Sequence, residues 1–493
     1  MDQPSQHSIV FVNPPYERIA PGYEFVRHIA DNSPSLGLLH LAAQVRQDGY
    51  RASIIECTIQ GLDVADTIER IVSMRPAYVG FTLFTVGVSN AAAIARGVKR
   101  RLPETRILVG GPHVSSMGPE TMSRFPEFDL AVVGEGELTL SQVLACYSSG
   151  GDIGSVNGII YRDEDGRPRG TAPGPVEKDL DRLPFPAWDL LPDFPRAYLP
   201  MVYEFPHGPV ASIAASRGCP FKCRFCDTST FGGRMRHYSP GKVVEMMRHL
   251  KEQYGVRHII FVDDLFLASR KRATEFCNLL IEERLGLTWT CLARADSVRP
   301  ELLALMKRAG CWEVMYGLES GSDEILQKME KSLGVAKSRQ AVAWSAEAGI
   351  RVKGLFILGY PGETEETIAQ TEAFISSIPM QEMQLTKFTP YPGSPIYMDL
   401  FGTRIRDEHW DKMNGMVFIW TPEGMTVRQL DRHYNRILLS FYLKPASLKM
   451  FVQMTLHYPN HLVRASKFVA GWIHAELRRR FAGLGRPRVS TVQ

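Results

Sequence analysis

The chain is expected to be an α/β protein in three parts. These are a doubly wound, Rossmann-like domain over residues 8–148, a partial, TIM-like (β/α)6 barrel over 208–395, and an α-helical region over 396–493, with a linker at 149–207. Three observations lead there. Short apolar runs alternate with amphipathic stretches in two separate blocks, the pattern of βαβ units and parallel sheets. A polar, proline-rich stretch breaks the rhythm between the blocks. Beyond residue 395 the strand-like runs cease.

In the first block, SIVFVNPP (8–15) reads as a strand ending in a Pro-Pro loop, and LGLLHLAAQVRQDGY (36–50) as a helix closed by Gly49. RASIIEC (51–57), AYVGFTLFT (77–85), TRILVGGPH (105–113) and DLAVVGEGE (129–137) supply the next strands. A sheet of this kind holds its ligand in the crevice beyond the strands' carboxyl ends. GIIYRDEDGRPRG (158–170) reads as a polar hairpin, and DLDRLPFPAWDLLPDFP (179–195) as a linker wrapped between domains. The second block offers six strands: VASIAASRG (210–218), RHIIFVDDLF (257–266), LTWTCLARAD (287–296), WEVMYGLESG (312–321), RVKGLFILGY (351–360) and EMQLTKFTP (382–390). Its first helix is punctuated by Ser239 and Pro240 at the start and Gly255 at the stop, with Val243, Met247, Leu250 and Tyr254 on one face. As in the eightfold barrel, chemistry belongs at the strands' carboxyl ends. The cysteines of 219–226, Asp263, Asp264, Arg294, Glu319, Gly359 and Glu363 all fall there.

Composition narrows the function classes. A hydrophobic content of 44% and a charged content of 22% are those of ordinary globular protein. A net charge of +4 and a pI near 8.5 are too weakly basic to argue for nucleic acid. The first residues lack the basic-then-apolar pattern of a signal peptide, and no apolar run reaches the ~18 residues of a membrane span. A cytoplasmic protein is expected. Eight cysteines in 493 residues are no disulfide framework. Three crowd into 219–226, while Cys57, Cys146, Cys277, Cys291 and Cys311 are scattered. In a reducing compartment such crowding points to metal or redox chemistry.

The crowded segment reads SRGCPFKCRFCDTSTFGGR (216–234), directly after a strand. Thiolates suit iron–sulfur clusters or zinc. A four-iron cluster normally takes four cysteines, and this loop offers Cys219, Cys223 and Cys226. Three donors leave one iron open to a substrate's amine and carboxylate. Arg217, Lys222 and Arg224 are expected to surround an anionic cluster with positive charge. The competing reading is a structural zinc completed by a distant ligand such as His237. Structural zinc usually shows paired Cys-x2-Cys knuckles, and the second pair is missing.

Cys-x3-Cys-x2-Cys, with Phe225 just before the last cysteine, resembles the signature of the radical S-adenosylmethionine superfamily. FVDDLF (261–266), ARAD (293–296), GLESGS (317–322) and LGYPGET (358–364) resemble its cobalamin-dependent branch, and the likeness runs through 208–395. The resemblance implies a [4Fe–4S] cluster on the three cysteines that reduces S-adenosylmethionine to methionine and a 5′-deoxyadenosyl radical. It also implies Phe225, Asp264, Arg294, Glu319, Gly354, Ile357 and Gly359 as S-adenosylmethionine contacts. Arg294 would hold the carboxylate or ribose end and Glu319 would accept hydrogen bonds. Gly354, Ile357 and Gly359 would admit the adenine. Plainer roles compete: a surface ion pair of Arg294 with Asp296, a cap at Glu319, and strand ends at Asp263 and Asp264.

Residues 8–148 resemble the cobalamin-binding domain that precedes many such enzymes, through FVNPP (11–15), SLGLLHLAAQVR (35–46), GFTLFT (80–85), VGGPHVS (109–115) and VGEGELT (133–139). The contacts this implies are Asn13, Gly37, Thr82, Gly110, Gly111, His113, Gly134 and Gly136. Glycines let backbone approach a large flat ligand, and a following helix N-terminus suits its phosphate tail. The Asp-x-His-x-x-Gly motif whose histidine ligates cobalt is missing, so His113 is no expected cobalt ligand and no histidine is expected below the metal.

LDRHYNRILLSFYLKPASLKMF (430–451) resembles the helical tail of cyclase and hopanoid-modifying groups of this branch. LVRASKFVAGWIHAELRRRFAGL (462–484) mixes Leu462, Phe468, Trp472, Ile473 and Phe481 with Arg464, Lys467, Arg478, Arg479 and Arg480. The preferred reading is a helix packed on the barrel with a solvated basic face. Weak peripheral membrane contact is the other. RPRVSTVQ (486–493) is expected to be disordered. Together these features imply a cobalamin-dependent radical S-adenosylmethionine enzyme that methylates an unactivated carbon of a small-molecule substrate, reduced by a donor such as flavodoxin or ferredoxin. A radical cyclase or ring-rearranging enzyme is the alternative, and a non-enzymatic cobalamin or redox sensor is the reading of another class.

Overall fold

The first block folds into one sheet in the order β2-β1-β3-β4-β5-β6-β7. Its strands are β1 (Ser5–Asn13), β2 (Arg51–Glu56), β3 (Pro76–Thr82), β4 (Arg106–Gly110), β5 (Leu130–Val132), β6 (Ile159–Arg162) and β7 (Pro168–Gly170). The first five run parallel. The order 2-1-3-4-5 reverses between β1 and β3, and such a switch point opens a crevice at the strands' carboxyl ends. The hairpin β6–β7, expected in the linker, instead adds antiparallel to the sheet edge. Ile159 and Ile160 explain this: both are buried, and pairing with β5 covers them.

The coordinates are a computed structural model that describes residues 5–16, 32–402, 407–457, 461–464, 466, 467, 470, 471 and 474. Phe468, Trp472, Ile473, Phe481, Arg478, Arg479, Arg480 and the RPRVSTVQ tail lie outside the described residues.

The second block opens with β8 (Val210–Ile213) and a short antiparallel pair, β9 (Ser216–Arg217) with β10 (Arg236–His237). It continues through β11 (His258–Phe261), β12 (Thr288–Ala293), β13 (Cys311–Glu319), β14 (Arg351–Leu358) and β15 (Glu382–Lys387). The six long strands pair in sequence order, all parallel, from β8 at one edge to β15 at the other. The two edges do not pair with each other, so this is the open, partial barrel expected. The helix Pro240–Tyr254 has its cap at Ser239, which accepts from the Lys242 amide, and its left-handed stop at Gly255 (φ 66°).

One continuous core joins the two sheets. It runs from Ile9 and Phe11 through Trp188 and Leu180 of the linker to Trp289, Phe356 and Phe441. The other face of the first sheet is covered partly from far along the chain, by Tyr397, Phe401, Trp410, Met413 and Ile419. The region after the barrel is therefore not only helical: residues 413–426 are turns and bends that strap the barrel to the first domain. The long helices Val427–Tyr442 and Pro445–His457 follow. At the amino ends of the barrel strands, Lys353 is buried against Glu382 (3.2 Å) and against Glu204 from the linker. Burial and the facing Glu382 push Glu313 of this group up to about 8.

Buried neutral histidines give the fold an acid limit. Burial lowers His113 to about 3, His258 to about 3 and His40 to about 4. The unfolded chain then binds protons that the native state refuses, so the stability these groups lend is complete above their ordinary pKa and lost as pH falls toward the depressed values. His113→Gln is expected to narrow its stability gap to wild type by about 1.4 kcal/mol per pH unit between pH 6 and pH 4. Denaturant titrations of both proteins at three pH values check this. A gap that stays constant would show that His113 titrates normally.

Candidate functional site

The carboxyl ends of both sheets open on one shared cavity of about 540 Å³, a size typical of ligand sites. On the first-domain side, Asn13 ends β1, Thr82 ends β3 and Gly110 ends β4. Three helices also begin there: Leu36–Gln47, Pro112–Arg124 and Glu137–Ser149, each with its first residue in the cavity wall. Their exposed amides make the wall attractive to anions. On the barrel side the wall comes from Ser212, Asp227, Thr230, Phe231, Val262 and Asp264, the loops that carry and flank the cysteines.

Seven of the eight residues expected to hold a large cofactor line this cavity: Asn13, Gly37, Thr82, Gly110, Gly111, Gly134 and Gly136. Gly111 has φ 98°, and a Cβ there would meet the Leu83 amide nitrogen and Thr82 Oγ1 at 3.0 Å. Only glycine keeps this part of the cradle open. Asn13 donates from Nδ2 to Glu56 at 2.8 Å, while its Oδ1 is buried without a partner. A buried orphaned acceptor at a cavity wall suits a ligand bearing amide or hydroxyl donors, as the corrin side chains of cobalamin are. The wall therefore fits that cofactor. His113 is the exception and a correction. Its ring is 1% exposed, bonded to Thr85 at 3.1 Å and Thr121 at 3.0 Å, and packed edge-on against Trp410. Both nitrogens serve the core, so His113 does not reach the cavity.

The cysteine loop follows β9. Cys219 and Cys223 are half-buried and Cys226 is exposed, all as free thiols. Burial raises the Cys223 thiol, while Lys331 and Arg294 pull it back toward the thiolate. Among the described residues no three His, Cys, Asp or Glu side chains are grouped closely enough to hold a single ion, the three cysteines included. Three free thiols on one loop beside two cations fit a four-iron cluster in which three irons take a protein sulfur and the fourth is left open.

The cations are not those expected. Arg217 turns away from the cysteines and bonds Glu135 at 2.7 Å and Glu137 at 2.6 Å. Arg236 also pairs with Glu135, and all four side chains are buried. Glu135 and Glu137 belong to the first domain, Arg217 and Arg236 to the strands flanking the cysteine loop, so this is an ionic clasp between domains. Arg224 bonds Glu330 at 3.0 Å and pairs with Asp399. The positive charge near Cys223 comes instead from Lys331 and Arg294.

Lys331 was invisible in the sequence. It lies buried beside the cysteines and bonds Glu319 at 2.7 Å. Glu319 is held at φ 63°, a left-handed conformation rare for a side-chain-bearing residue and common at functional sites. A Cβ on Gly317 would meet Glu319 Oε1 at 2.6 Å and Lys331 Nζ at 3.0 Å, so that glycine makes room for the pair. Arg294 does pair with Asp296 at 3.1 Å, but it is buried, not on the surface. Its guanidinium also donates to the Lys331 carbonyl at 2.9 Å and lies 3.6 Å over the Phe221 ring. Phe225 packs with Met329 and Tyr360 under the same loop. No motif announced Lys331, because the segment Glu330–Ser332 reaches the site only through left-handed turns, while Phe221 lies inside the cysteine motif but was not singled out.

The remaining expected contacts divide. Asp264 stands at the cavity edge, and Ile357 packs in the cluster that includes Phe225. Gly354 and Gly359 lie away from the cavity wall. A Cβ on Gly354 would strike Met380 Sδ at 2.8 Å, and one on Gly359 would strike Phe418 at 2.9 Å. Both glycines pack tightly against neighbouring segments, and neither lines the shared cavity. Asp263 accepts from the Ala215 amide and Ser216, which shapes the start of the cysteine loop. Burial pushes its carboxyl up to about 6.

Comparison with known proteins agrees with this layout. Residues 213–375 match the radical SAM superfamily and residues 25–144 match the B12 binding domain. An uncharacterized methyltransferase of Pyrococcus horikoshii is 31% identical, covering 89% of this chain and 93% of that protein. The anaerobic magnesium-protoporphyrin IX monomethyl ester cyclase of Rubrivivax gelatinosus is 29% identical, covering 97% and 84%. Among solved structures, the radical S-adenosylmethionine methyltransferase TsrM of Kitasatospora setae shares the fold with a TM-score of 0.66 at 19% identity, covering 80% of this chain and 78% of that one.

Proposed function

The chain belongs to the radical S-adenosylmethionine enzymes that carry a B12-binding domain, and on that premise we propose that it methylates an unactivated carbon of a small-molecule substrate. Its cofactors are a [4Fe–4S] cluster, S-adenosylmethionine and cobalamin. When bound, the cluster supplies the electron that cleaves S-adenosylmethionine, and cobalamin supplies a methyl carrier.

The observation that carries the reading is the shared cavity: the glycine-lined crevice of the first domain and the segment 227–232 directly after Cys226 face the same space. A methyl group and a substrate radical must meet within bonding distance, which favours one enclosed site over two separate ones. In this reading Cys219, Cys223 and Cys226 hold the cluster. Lys331, Glu319 and Arg294 fix the charge around its open corner, with Phe225 and Ile357 as apolar support. Asn13, Gly37, Thr82, Gly110, Gly111, Gly134 and Gly136 hold the corrin. Phe84, Phe231 and Val262, exposed at the cavity, exclude water from the reacting atoms. Domain limits near 8–148 and 208–395 fit this division of labour, with the hairpin β6–β7 added to the first. We assign the reaction to the reducing cytoplasm and the electron to a small redox protein such as flavodoxin or ferredoxin, in keeping with eight free cysteines.

Likeness to the cyclase along 97% of the chain favours one second reading, cyclisation or rearrangement without net methyl transfer. Products separate the two. Protein reconstituted anaerobically with iron, sulfide and cobalamin, then reduced with S-adenosylmethionine, is expected to form both S-adenosylhomocysteine and 5′-deoxyadenosine. Formation of 5′-deoxyadenosine alone supports the cyclase reading, and formation of neither overturns both.

A further inference from the structure

The helix Pro445–His457 is apolar on both faces. Ser447, Phe451 and Met454 turn inward, with Phe451 against Tyr203 at 5.0 Å and Tyr442 at 5.8 Å. Leu448, Val452 and Leu456, spaced i, i+4 and i+8, form an outward stripe that is 48%, 58% and 74% exposed. Leu439 and Leu443 on the preceding helix, and Leu462 and Val463 on the following turns, are exposed as well. Of the fifteen large apolar side chains exposed among the described residues, these seven fall within 439–463. Scattered exposure needs no cause, but a concentrated patch does.

Charge identifies what covers the patch. Residues 432–493 hold eleven of the chain's 57 Lys and Arg residues and one of its 53 Asp and Glu residues, a net +10 that leaves −6 on the rest. Lys449 stands exposed beside the stripe and Lys467 exposed beyond it. A leucine-rich face flanked by cations, on an otherwise acidic protein, is complementary to an anionic lipid surface: the aliphatic groups enter the acyl boundary and the cations meet the headgroups. A second copy of this chain would set exposed cations such as Lys449 and Lys467 against their own kind. We propose that the face formed by Leu439, Leu443, Leu448, Val452 and Leu456 docks the enzyme peripherally on anionic membranes. No helix among the described residues is long and apolar enough to cross the bilayer, so the contact is interfacial.

Co-sedimentation of the reconstituted full chain with vesicles tests this. The protein is expected to pellet with phosphatidylcholine vesicles containing phosphatidylglycerol, and to stay in solution with phosphatidylcholine alone. The variant Leu448→Glu/Val452→Glu/Leu456→Glu is expected to lose binding by about tenfold or more, with cluster content and S-adenosylmethionine cleavage unchanged. Should that variant aggregate, Leu456→Ser alone and Lys449→Glu/Lys467→Glu are each expected to weaken binding severalfold, as is high salt. Wild-type protein that ignores anionic vesicles, or stripe variants that bind as well as wild type, would overturn the proposal. So would a wild-type dimer that the stripe variant abolishes while vesicle binding persists, because the face would then belong to a second copy.

Discussion

Cys223→Ala is expected to strip the protein of its cluster and lower S-adenosylmethionine cleavage by about a thousandfold or more. The three thiols act as a unit: with one gone, two sulfurs face four irons, and no other thiol lies on the loop to replace it. The remaining five cysteines include three buried in the barrel, Cys277, Cys291 and Cys311, and none of the five lies on the loop between β9 and β10. Cys146→Ser, in the helix Glu137–Ser149 of the first domain, is the control and is expected to leave both properties unchanged. Iron and sulfide content, the visible absorption of the cluster and 5′-deoxyadenosine formation read the outcome. A Cys223→Ala protein with wild-type cluster and turnover would remove the basis of the site assignment.

Arg217→Met is expected to destabilise the protein by about 3–5 kcal/mol at neutral pH, the usual cost of leaving a buried charge without its partner. Glu137 lies buried with Arg217 at 2.6 Å, and Glu135 keeps Arg236 when Arg217 is lost. In the wild type, burial works to raise the Glu137 carboxyl, but Arg217 outweighs it and holds the group below the ordinary range. That contribution is present above the ordinary carboxylate pKa and fades as pH falls through the depressed value. In the variant burial dominates, so the carboxyl rises and the penalty shrinks on acidification. Denaturant midpoints at pH 7 and pH 5 measure it, and Arg217→Met/Glu137→Gln is expected to recover much of the loss at pH 7. A single variant within about 1 kcal/mol of wild type would show that the clasp is no stronger than a surface pair. Because Arg217 lies two residues before Cys219, the variant is also expected to retain less cobalamin and cluster together.

Much of this architecture was legible in the linear chain. All eleven parallel strands were visible as apolar runs, because a parallel sheet buried on both faces demands near-continuous Val, Ile and Leu. The hairpin at 159–170 was assigned to the linker because its polar turn dominates the composition, while its membership in the sheet rests on two isoleucines. The cavity glycines were found through their loops. His113, drawn from the same GGPH loop, was misplaced, since the single step from Pro112, in the cavity wall, to His113 turns the side chain into the core beside Trp410.

Local spacing was sufficient for the cysteine triad, the two β/α blocks and the glycines at strand ends, because each is a property of residues a few positions apart. Which cation stands beside Cys223, where Arg217 sends its charge, and why Gly354 and Gly359 are small became visible only in the packed molecule. Those answers depend on pairs tens of positions apart or more, or on left-handed turns, as with Glu135 bonding Arg217 82 positions away and Lys331 beside the cysteines. Desolvation ranks such partners by distance and burial in space, quantities that have no counterpart along the chain.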